Sequence, residues 1–490
     1  MKPFKKCVYI GLPILGVLFY LYYLKIATID MVYSDYIRLI NSYLPDVWNP
    51  EKFFVADLLT RLPINYLFRG INVEWFGYSV TFERILGVLS FGASALVLAF
   101  YCKNRRVGLG WYTVIMVFMF SLNKWEMIYN STGWSHFTAF VCFFYHYLVL
   151  DRVYRNQGTK RDILKLNILP AITTIFIAGP YCAIYSMTLI ITYGFIWIQG
   201  RYLVWKGEAK RCRLTDKQLA LLLVNVIWPL LLYIWSNSHA VYEHSGAVEA
   251  SLMETFFQQP VFFLKFLLKS FASIIFGVEF ISERMPGVSN MFLYLTGAGV
   301  LASYFLALWI NFRYDIYKKT LMPLMLLAGG GMNHLVVMVS RWIFLKDTYG
   351  MSSRYALQFQ VGILGILLTF AFVWKETKCG EKNRNRRRET DKDRDKTIGQ
   401  KKVLDLAVRS LALAITAAVL TGNLLTTKAE LSKAPYRKIH SLEVKEILLD
   451  FENQDEETLK QKLEYSKPGK KEALRILREN GLNIFRNENG

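Results

Sequence analysis

Long apolar runs alternate with short polar or basic segments along most of the chain. Several runs reach the roughly 20 residues that an α-helix needs to cross the hydrocarbon core of a bilayer. The pattern therefore predicts an all-α, polytopic membrane bundle of about eleven transmembrane helices. The predicted spans are residues 7–27, 80–102, 109–122, 136–150, two within 166–199, 219–235, 290–310, 321–344, 359–374 and 403–425.

Two apolar stretches depart from the single-span pattern. Residues 166–199 are too long for one span, and Gly179-Pro180-Tyr181 near their middle predicts a tight turn that divides them. Residues 256–276 carry Lys265 and Lys269 four residues apart, on one face of a helix. A full crossing there would put the later basic residues on the outer side, so we expect an interfacial or re-entrant helix.

The basic residues indicate the orientation of the chain. Three lysines lie among the first six residues, and further basic clusters follow every second span, so the positive-inside rule predicts a cytoplasmic N-terminus. Residues 28–79 then form the first outer loop, and 237–289 form a second one with the interfacial helix. Residues 375–402 form a basic cytoplasmic loop that we expect to be disordered. The membrane domain comprises residues 1–427, and an extracytoplasmic tail comprises 428–490.

The tail has helical apolar spacing in residues 441–451, 456–465 and 471–480. It contains too few large apolar side chains to form a hydrophobic core of its own. We therefore expect it to pack against the outer face of the membrane domain, with Phe485 as an anchor.

Composition supports an integral membrane protein. The 490 residues are 53% hydrophobic, and the mean hydropathy is +0.24. A net charge of +21 would favour nucleic acid as a partner of a soluble protein. Here the basic residues cluster between apolar runs, so we expect no nucleic-acid partner. Six scattered cysteines without a CxxC pair predict neither a disulfide framework nor a zinc site.

Ionisable residues in or beside apolar spans are candidates for function, because such groups cost free energy in a bilayer. Glu83 and Arg84 lie at the outer end of the second span, where a self-neutralising pair and a functional pair are equally consistent with the sequence. His334 follows three glycines in the ninth span, and such a histidine more commonly donates a hydrogen bond to a neighbouring carbonyl and does nothing more.

Further cations lie where the ninth and tenth spans meet the outer surface. Arg341 ends one span and can extend its charge to the interface. Arg354 and Tyr355 lie beside two serines in the short loop that follows. A guanidinium group matches a phosphate bidentately, so these residues suit an anionic lipid head group.

Acidic residues fall in the first outer loop, on the same predicted face as these cations. Asp30, Asp35 and Asp57 supply carboxylates there. A carboxylate can act as a general base on an acceptor hydroxyl, or hold a divalent cation against phosphates. The combination favours transfer of a glycosyl group from a polyprenyl-phosphate donor.

The layout resembles the GT-C class of polytopic glycosyltransferases, in which the first long outer loop carries the acidic catalytic residue. More narrowly, it resembles a set of poorly characterised bacterial multi-pass membrane proteins. Two motifs depart from the pattern of that set: an acidic pair is reduced to Asp35, and an acid-His-Arg triplet is reduced to Asp57 and Arg61. The motifs that carry the likeness are Ser34-Asp35-Tyr36, Asp57 to Arg61-Leu62-Pro63, Ser131-Thr132-Gly133-Trp134, Ser352–Tyr355 and Leu482–Phe485.

The resemblance implies roles for these residues. Asp35 would be the base or a metal ligand, with support from Asp57. Arg61 and Arg354 would bind the donor phosphate, with Arg341 second. The partners would be the bilayer, a polyprenyl-phosphate-linked sugar, and a glycan or lipid acceptor of the cell envelope.

Two other function classes remain open on the sequence. A transporter or flippase of envelope precursors needs polar residues at the bilayer midplane and internal repeats. The sequence offers only Asn333-His334 there, and no clear repeat. A non-catalytic envelope assembly protein would tolerate the loss of Asp35 but not the loss of residues 471–485.

Overall fold

The computed structural model describes residues 3–53, 63–130, 133–208, 212–239, 248, 250–387 and 395–486. This part of the chain is helical and contains no strand, which confirms the predicted all-α class. Its α-helices are α1 (Pro3–Ala27), α2 (Tyr36–Tyr43), α3 (Pro50–Phe53), α4 (Pro63–Phe76), α5 (Val80–Asn104), α6 (Leu109–Met119), α7 (Trp125–Tyr129), α8 (Trp134–Tyr154), α9 (Lys160–Ile172), α10 (Cys182–Trp205), α11 (Asp216–Ser238), α12 (Leu252–Gln258), α13 (Pro260–Ala272), α14 (Val278–Arg284), α15 (Asn290–Arg313), α16 (Met322–Arg341), α17 (Ser353–Arg387), α18 (Asp395–Leu449), α19 (Glu456–Lys462) and α20 (Lys470–Glu479).

Eight helices of the described residues are long and apolar enough to cross a membrane, as expected of a multi-pass membrane protein. The predicted total of about eleven spans also needs α6, α8 and α9, which are not among the eight. The 11 residues of α6 rise only about 16 Å, little more than half of a hydrocarbon core. The eight candidate spans are Cys7–Ala27, Val80–Asn104, Gly179–Trp205, Asp216–Ser238, Asn290–Arg313, Met322–Phe344, Ser353–Lys378 and Lys402–Leu449.

The apolar stretch at 166–199 is divided where the sequence predicted. α9 contains Pro170 and ends at Ile172. A π-helical segment, Thr173–Ile177, follows this proline, which removes one backbone donor from the helical ladder. Gly179 has a φ of +51°, a left-handed conformation that favours glycine, and α10 starts at Cys182.

The last span and the start of the tail form one helix. α18 has 55 residues and runs to Leu449, so the span expected at 403–425 continues well beyond its predicted end. The basic stretch 375–402 also differs from the expected disordered loop. It is helical at both ends, in the last part of α17 and the first part of α18, and residues 388–394 lie outside the described chain.

The core of the bundle surrounds α17, whose apolar window in Ser353–Lys378 is entirely buried. Glycines allow its close approach to α16. A Cβ atom on Gly330 would lie 2.2 Å from the Cα of Gly362, so α16 cannot carry a side chain at this crossing. A Cβ atom on Gly362 would instead meet the hydroxyl of Tyr304 in α15.

A second hydrophobic core joins the tail to the first outer loop. Its buried residues come from α2, from the end of α18, and from α19 and α20. Phe485, the expected anchor, is fully buried, and its ring packs edge-on against Phe451 with centroids 6.0 Å apart. Ser34 donates its backbone N–H to the carbonyl of Leu463, which adds a direct bond between loop and tail.

The two lysines of the expected interfacial helix lie in different environments. α13 has 13 residues, a length that suits an interfacial or re-entrant helix. Lys265 is exposed. Lys269 is almost fully buried and forms a 2.9 Å ion pair with Asp347. Although Lys265 and Lys269 lie on the same face of α13, only Lys269 is buried and paired with a carboxylate among the described residues.

Candidate functional site

Four separate segments bring polar side chains together at one end of the bundle. They are the loop before α2, the short helix α7, the first turn of α14 and the first turn of α17. The positive-inside rule predicts that this end is the outer one. We call the group formed by Asp35, Glu126, Glu279, Ser353 and Arg354 the outer cluster.

Arg354 and Glu126 form the ion pair of the outer cluster. The Nε of Arg354 donates a short hydrogen bond to Glu126 Oε1. The Arg354 side chain stays 55% exposed, whereas that of Glu126 is only 18% exposed. Among the described residues, Nη1 and Nη2 of Arg354 have no hydrogen-bond partner. The terminal nitrogens of this arginine are therefore available for a phosphate.

Ser353 links two carboxylates of the outer cluster. Its hydroxyl Oγ lies 3.0 Å from Glu126 Oε2 and 3.2 Å from Glu279 Oε1. A hydroxyl has one proton to donate, so both contacts are satisfied only when one carboxyl group is protonated. Burial raises the pKa of Glu279, and the negative charge of Glu126 raises it further. The burial of Glu279 and the neighbouring charge of Glu126 therefore favour the protonated form of Glu279.

A second arginine lies beside the same turn of α17. Arg341, at the end of α16, donates its Nε to the hydroxyl of Tyr355 at 2.8 Å. Arg341 has no carboxylate partner among the described residues. Both Arg341 and Arg354 act electrostatically on Tyr355 and favour the ionised form of its hydroxyl.

Asp35 is the member of the outer cluster that the first outer loop contributes. It occupies the N-cap position of α2 but makes no side-chain capping bond. Its carboxylate is half-buried, accepts no hydrogen bond from a described residue, and interacts electrostatically with Arg354. A carboxylate with open acceptor positions beside a cation can accept a proton from a bound hydroxyl.

Three other predicted residues have structural partners near this end of the bundle. Asp30 Oδ1 accepts the backbone N–H of Thr81 at 3.1 Å, in the first turn of α5. Glu83 is buried and accepts a 2.6 Å bond from the hydroxyl of Tyr36. Arg84 donates to the carbonyls of Tyr129 and Ile29 instead of pairing with Glu83. None of the three lies in the outer cluster.

His334 lies inside the bundle rather than at the outer cluster. Its Nδ1 is 2.9 Å from the hydroxyl of Ser270. Its ring is stacked between Phe271 and Phe359, with centroids 3.9 Å from each. This packing indicates a structural role. Asp57 and Arg61 lie outside the described residues.

Glu126 and Glu279 were not among the residues that the sequence singled out. Both are acids in predicted outer loops with apolar neighbours, Trp125 and Met127 for the first, Val278 and Phe280 for the second. A glutamate between two large apolar residues is the local sequence signal by which both could have been identified. A divalent cation was one of two options that the sequence left open for these carboxylates. The described residues contain no group of three or more His, Cys, Asp or Glu positioned to hold a metal ion.

The sequence matches no protein-family model, and neither the curated proteins nor the solved structures contain a significant match.

Proposed function

We propose that the protein is a membrane glycosyltransferase that uses a polyprenyl-phosphate-linked sugar at the outer face of a bacterial cell membrane. The acceptor is a glycan or lipid of the cell envelope. The observation that carries the proposal is the electrostatic interaction between the Asp35 carboxylate and the Arg354 guanidinium group. The carboxylate accepts no hydrogen bond from a described residue, and two nitrogens of the guanidinium group donate none to a described residue. This transfer requires such a carboxylate as the base and such a cation for the phosphate.

In the proposed reaction, Asp35 accepts the proton of an acceptor hydroxyl. The hydroxyl oxygen forms a bond to the anomeric carbon of the donor sugar. The bond from that carbon to the phosphate oxygen breaks, and its electron pair leaves with the polyprenyl phosphate. Arg354 and Arg341 stabilise the charge that develops on the leaving phosphate.

Glu126 has a positioning role in this proposal. It holds the Nε of Arg354 and is itself held by the hydroxyls of Ser352 and Ser353, at 3.4 and 3.0 Å. These contacts limit the rotamers of the arginine, so less entropy is lost when the phosphate binds.

The proposal is tested by complementing a strain that lacks the protein with the Asp35→Asn variant. The readout is the envelope glycan profile, at confirmed normal levels of the variant in the membrane. We expect a lost or truncated glycan. The matched control is Asp30→Asn, which removes the same charge from the same loop but leaves a side-chain oxygen that can accept from the backbone N–H of Thr81.

An unchanged profile with Asp35→Asn would reject Asp35 as the base and favour a transporter or an assembly protein. A loss of glycan with both variants would show that the loop needs its charge in general rather than a base at Asp35.

A further inference from the structure

A cleft lined by cations opens at the other end of the bundle from the outer cluster. Arg354 and Lys375 both belong to α17, 21 residues apart, which corresponds to about 31 Å along a helix. The cleft has a volume of about 440 Å³. We call it the cationic cleft, and its basic side chains are Arg105, Arg106, Arg152, Arg155, Lys319 and Lys375.

Half of these cations are neutralised by carboxylates. Arg152 pairs with Asp162, Arg155 with Asp151, and Lys319 with Glu376. Arg105, Arg106 and Lys375 have no carboxylate partner among the described residues. The cleft therefore keeps three uncompensated positive charges in close proximity.

Two buried guanidinium nitrogens of the cleft have no hydrogen-bond acceptor among the described residues. The Nε atoms of Arg105 and Arg152 are buried and have no hydrogen-bond partner in the described part of the chain. An unsatisfied buried donor costs free energy that a bound acceptor would recover. Arg105 is fixed by the bond from its Nη2 to the carbonyl of Lys319, 2.7 Å long.

The positive-inside rule explains why cations are present at this end, but not their arrangement. Orientation in the membrane requires basic residues only in the loops near the span ends. Here they converge from α17, from the C-terminal ends of α5 and α8, and from the turn before α16 around one cavity, whose lining also includes the buried side chains of Ile316 and Phe372. Basic pockets between helices at a membrane surface suit phosphate head groups.

We propose that the cationic cleft binds an anionic, phosphate-bearing ligand. The volume is sufficient for a phosphate ester with a small polar substituent. Such a group can come from an acidic phospholipid in the adjacent leaflet or from a soluble phosphate compound. This site is separate from the proposed glycosyl transfer, which takes place at the outer cluster.

The test measures the unfolding temperature of the purified full-length protein in neutral detergent, at constant ionic strength. Phosphatidylglycerol, inorganic pyrophosphate and phosphatidylcholine are added separately. We expect phosphatidylglycerol or pyrophosphate to raise the unfolding temperature by at least about 2 °C, and phosphatidylcholine to have no effect. A rise with the lipid alone identifies a head-group site, and a rise with pyrophosphate identifies a site open to soluble phosphates.

The test variant is Arg106→Gln with Lys375→Gln, because both side chains are exposed and neither forms an ion pair with a described residue. The unfolding temperature of this double variant should not rise when phosphatidylglycerol or pyrophosphate is added. Lys160→Gln is the control, since this exposed cation at the start of α9 does not line the cleft. If neither phosphate probe raises the unfolding temperature, or if the double variant keeps the full rise, the proposal is wrong.

Discussion

Arg354 donates its Nε to Glu126, and its two terminal nitrogens donate no hydrogen bond to a described residue. The two side chains come from α17 and α7, more than 220 residues apart in the chain. A guanidinium held in this way remains cationic and is fixed at one nitrogen only. Its two terminal nitrogens can therefore form a bidentate hydrogen bond to two phosphate oxygens.

We predict that Arg354→Gln weakens the binding of undecaprenyl phosphate to the purified protein by roughly tenfold or more, because one charge-assisted contact is lost. Arg354→Lys should restore only part of the affinity, since an ammonium lacks the planar fork. The measurement is a binding titration in detergent micelles.

The matched control for this titration is Arg284→Gln. Arg284 is an exposed arginine in the last turn of α14, near the same end of the bundle. An equal loss of affinity in Arg284→Gln and Arg354→Gln would mean that general surface charge attracts the lipid, without a specific site at Arg354.

The tail should depend on Phe485 for its attachment. We predict that Phe485→Ala destabilises the packing of the tail on the first outer loop by about 3–5 kcal/mol, because a buried phenyl ring is replaced by a cavity. Limited proteolysis of the protein in membranes should then release tail fragments faster. Tyr436→Ala is the control, since Tyr436 in α18 is 74% exposed. Equal proteolysis of both variants would contradict the anchoring role.

Local patterns predicted much of the helical framework. The run before Asp30 gave the first span, and Gly179-Pro180-Tyr181 gave the division between α9 and α10. The first feature depends on the length of an apolar run, and the second depends on the backbone preferences of a glycine and a proline. Both can be read directly from neighbouring residues in the sequence. The end of α18 was missed because its polar continuation is stabilised by tertiary packing of Val444 and Leu448 in the second core.

The partners within the outer cluster could not be predicted from local patterns. Arg354 was identified from its position between two spans, but Glu126 and Glu279 become its neighbours only after α7 and α14 pack beside α17. The same reason explains Lys269, which appeared equivalent to Lys265 until the turn after α16 supplied Asp347.

The ion pair between Lys269 and Asp347 gives a further prediction. Lys269 is 4% exposed and Asp347 is 26% exposed, so removal of the carboxylate leaves a buried charge without its partner. We predict that Asp347→Asn destabilises the protein by about 3 kcal/mol. The double variant Lys269→Met with Asp347→Asn should recover most of this loss, because the buried charge is gone. Thermal unfolding in detergent measures both.

Lys265→Met provides the control for this cycle, since the exposed ammonium of Lys265 on the same helix has no carboxylate partner among the described residues. It should leave the unfolding temperature nearly unchanged. A double variant as unstable as Asp347→Asn alone would show that the pair stabilises the protein through packing rather than through charge compensation.

Lys124 connects stability to pH. It lies between α6 and α7, fully buried, and its Nζ donates to the carbonyls of Met119 and Ser121, each at 2.9 Å. Burial lowers the pKa of Lys124 to about 7, from a usual value of 10.5. Between these two pH values the unfolded chain binds more protons at this residue than the folded chain. The free energy of unfolding should therefore rise as the pH increases from 7 towards 10.5.

We predict that Lys124→Met flattens this rise, because methionine has no proton to bind. Unfolding temperatures at pH 6.5, 8 and 9.5 measure the slope, and the difference between wild type and variant removes the contribution of other titrating groups. Lys428→Met, which replaces an exposed lysine of α18, should retain the wild-type slope. If Lys124→Met retained that slope as well, the Lys124 ammonium would be charged throughout this range, stabilised by its carbonyl acceptors against the cost of burial.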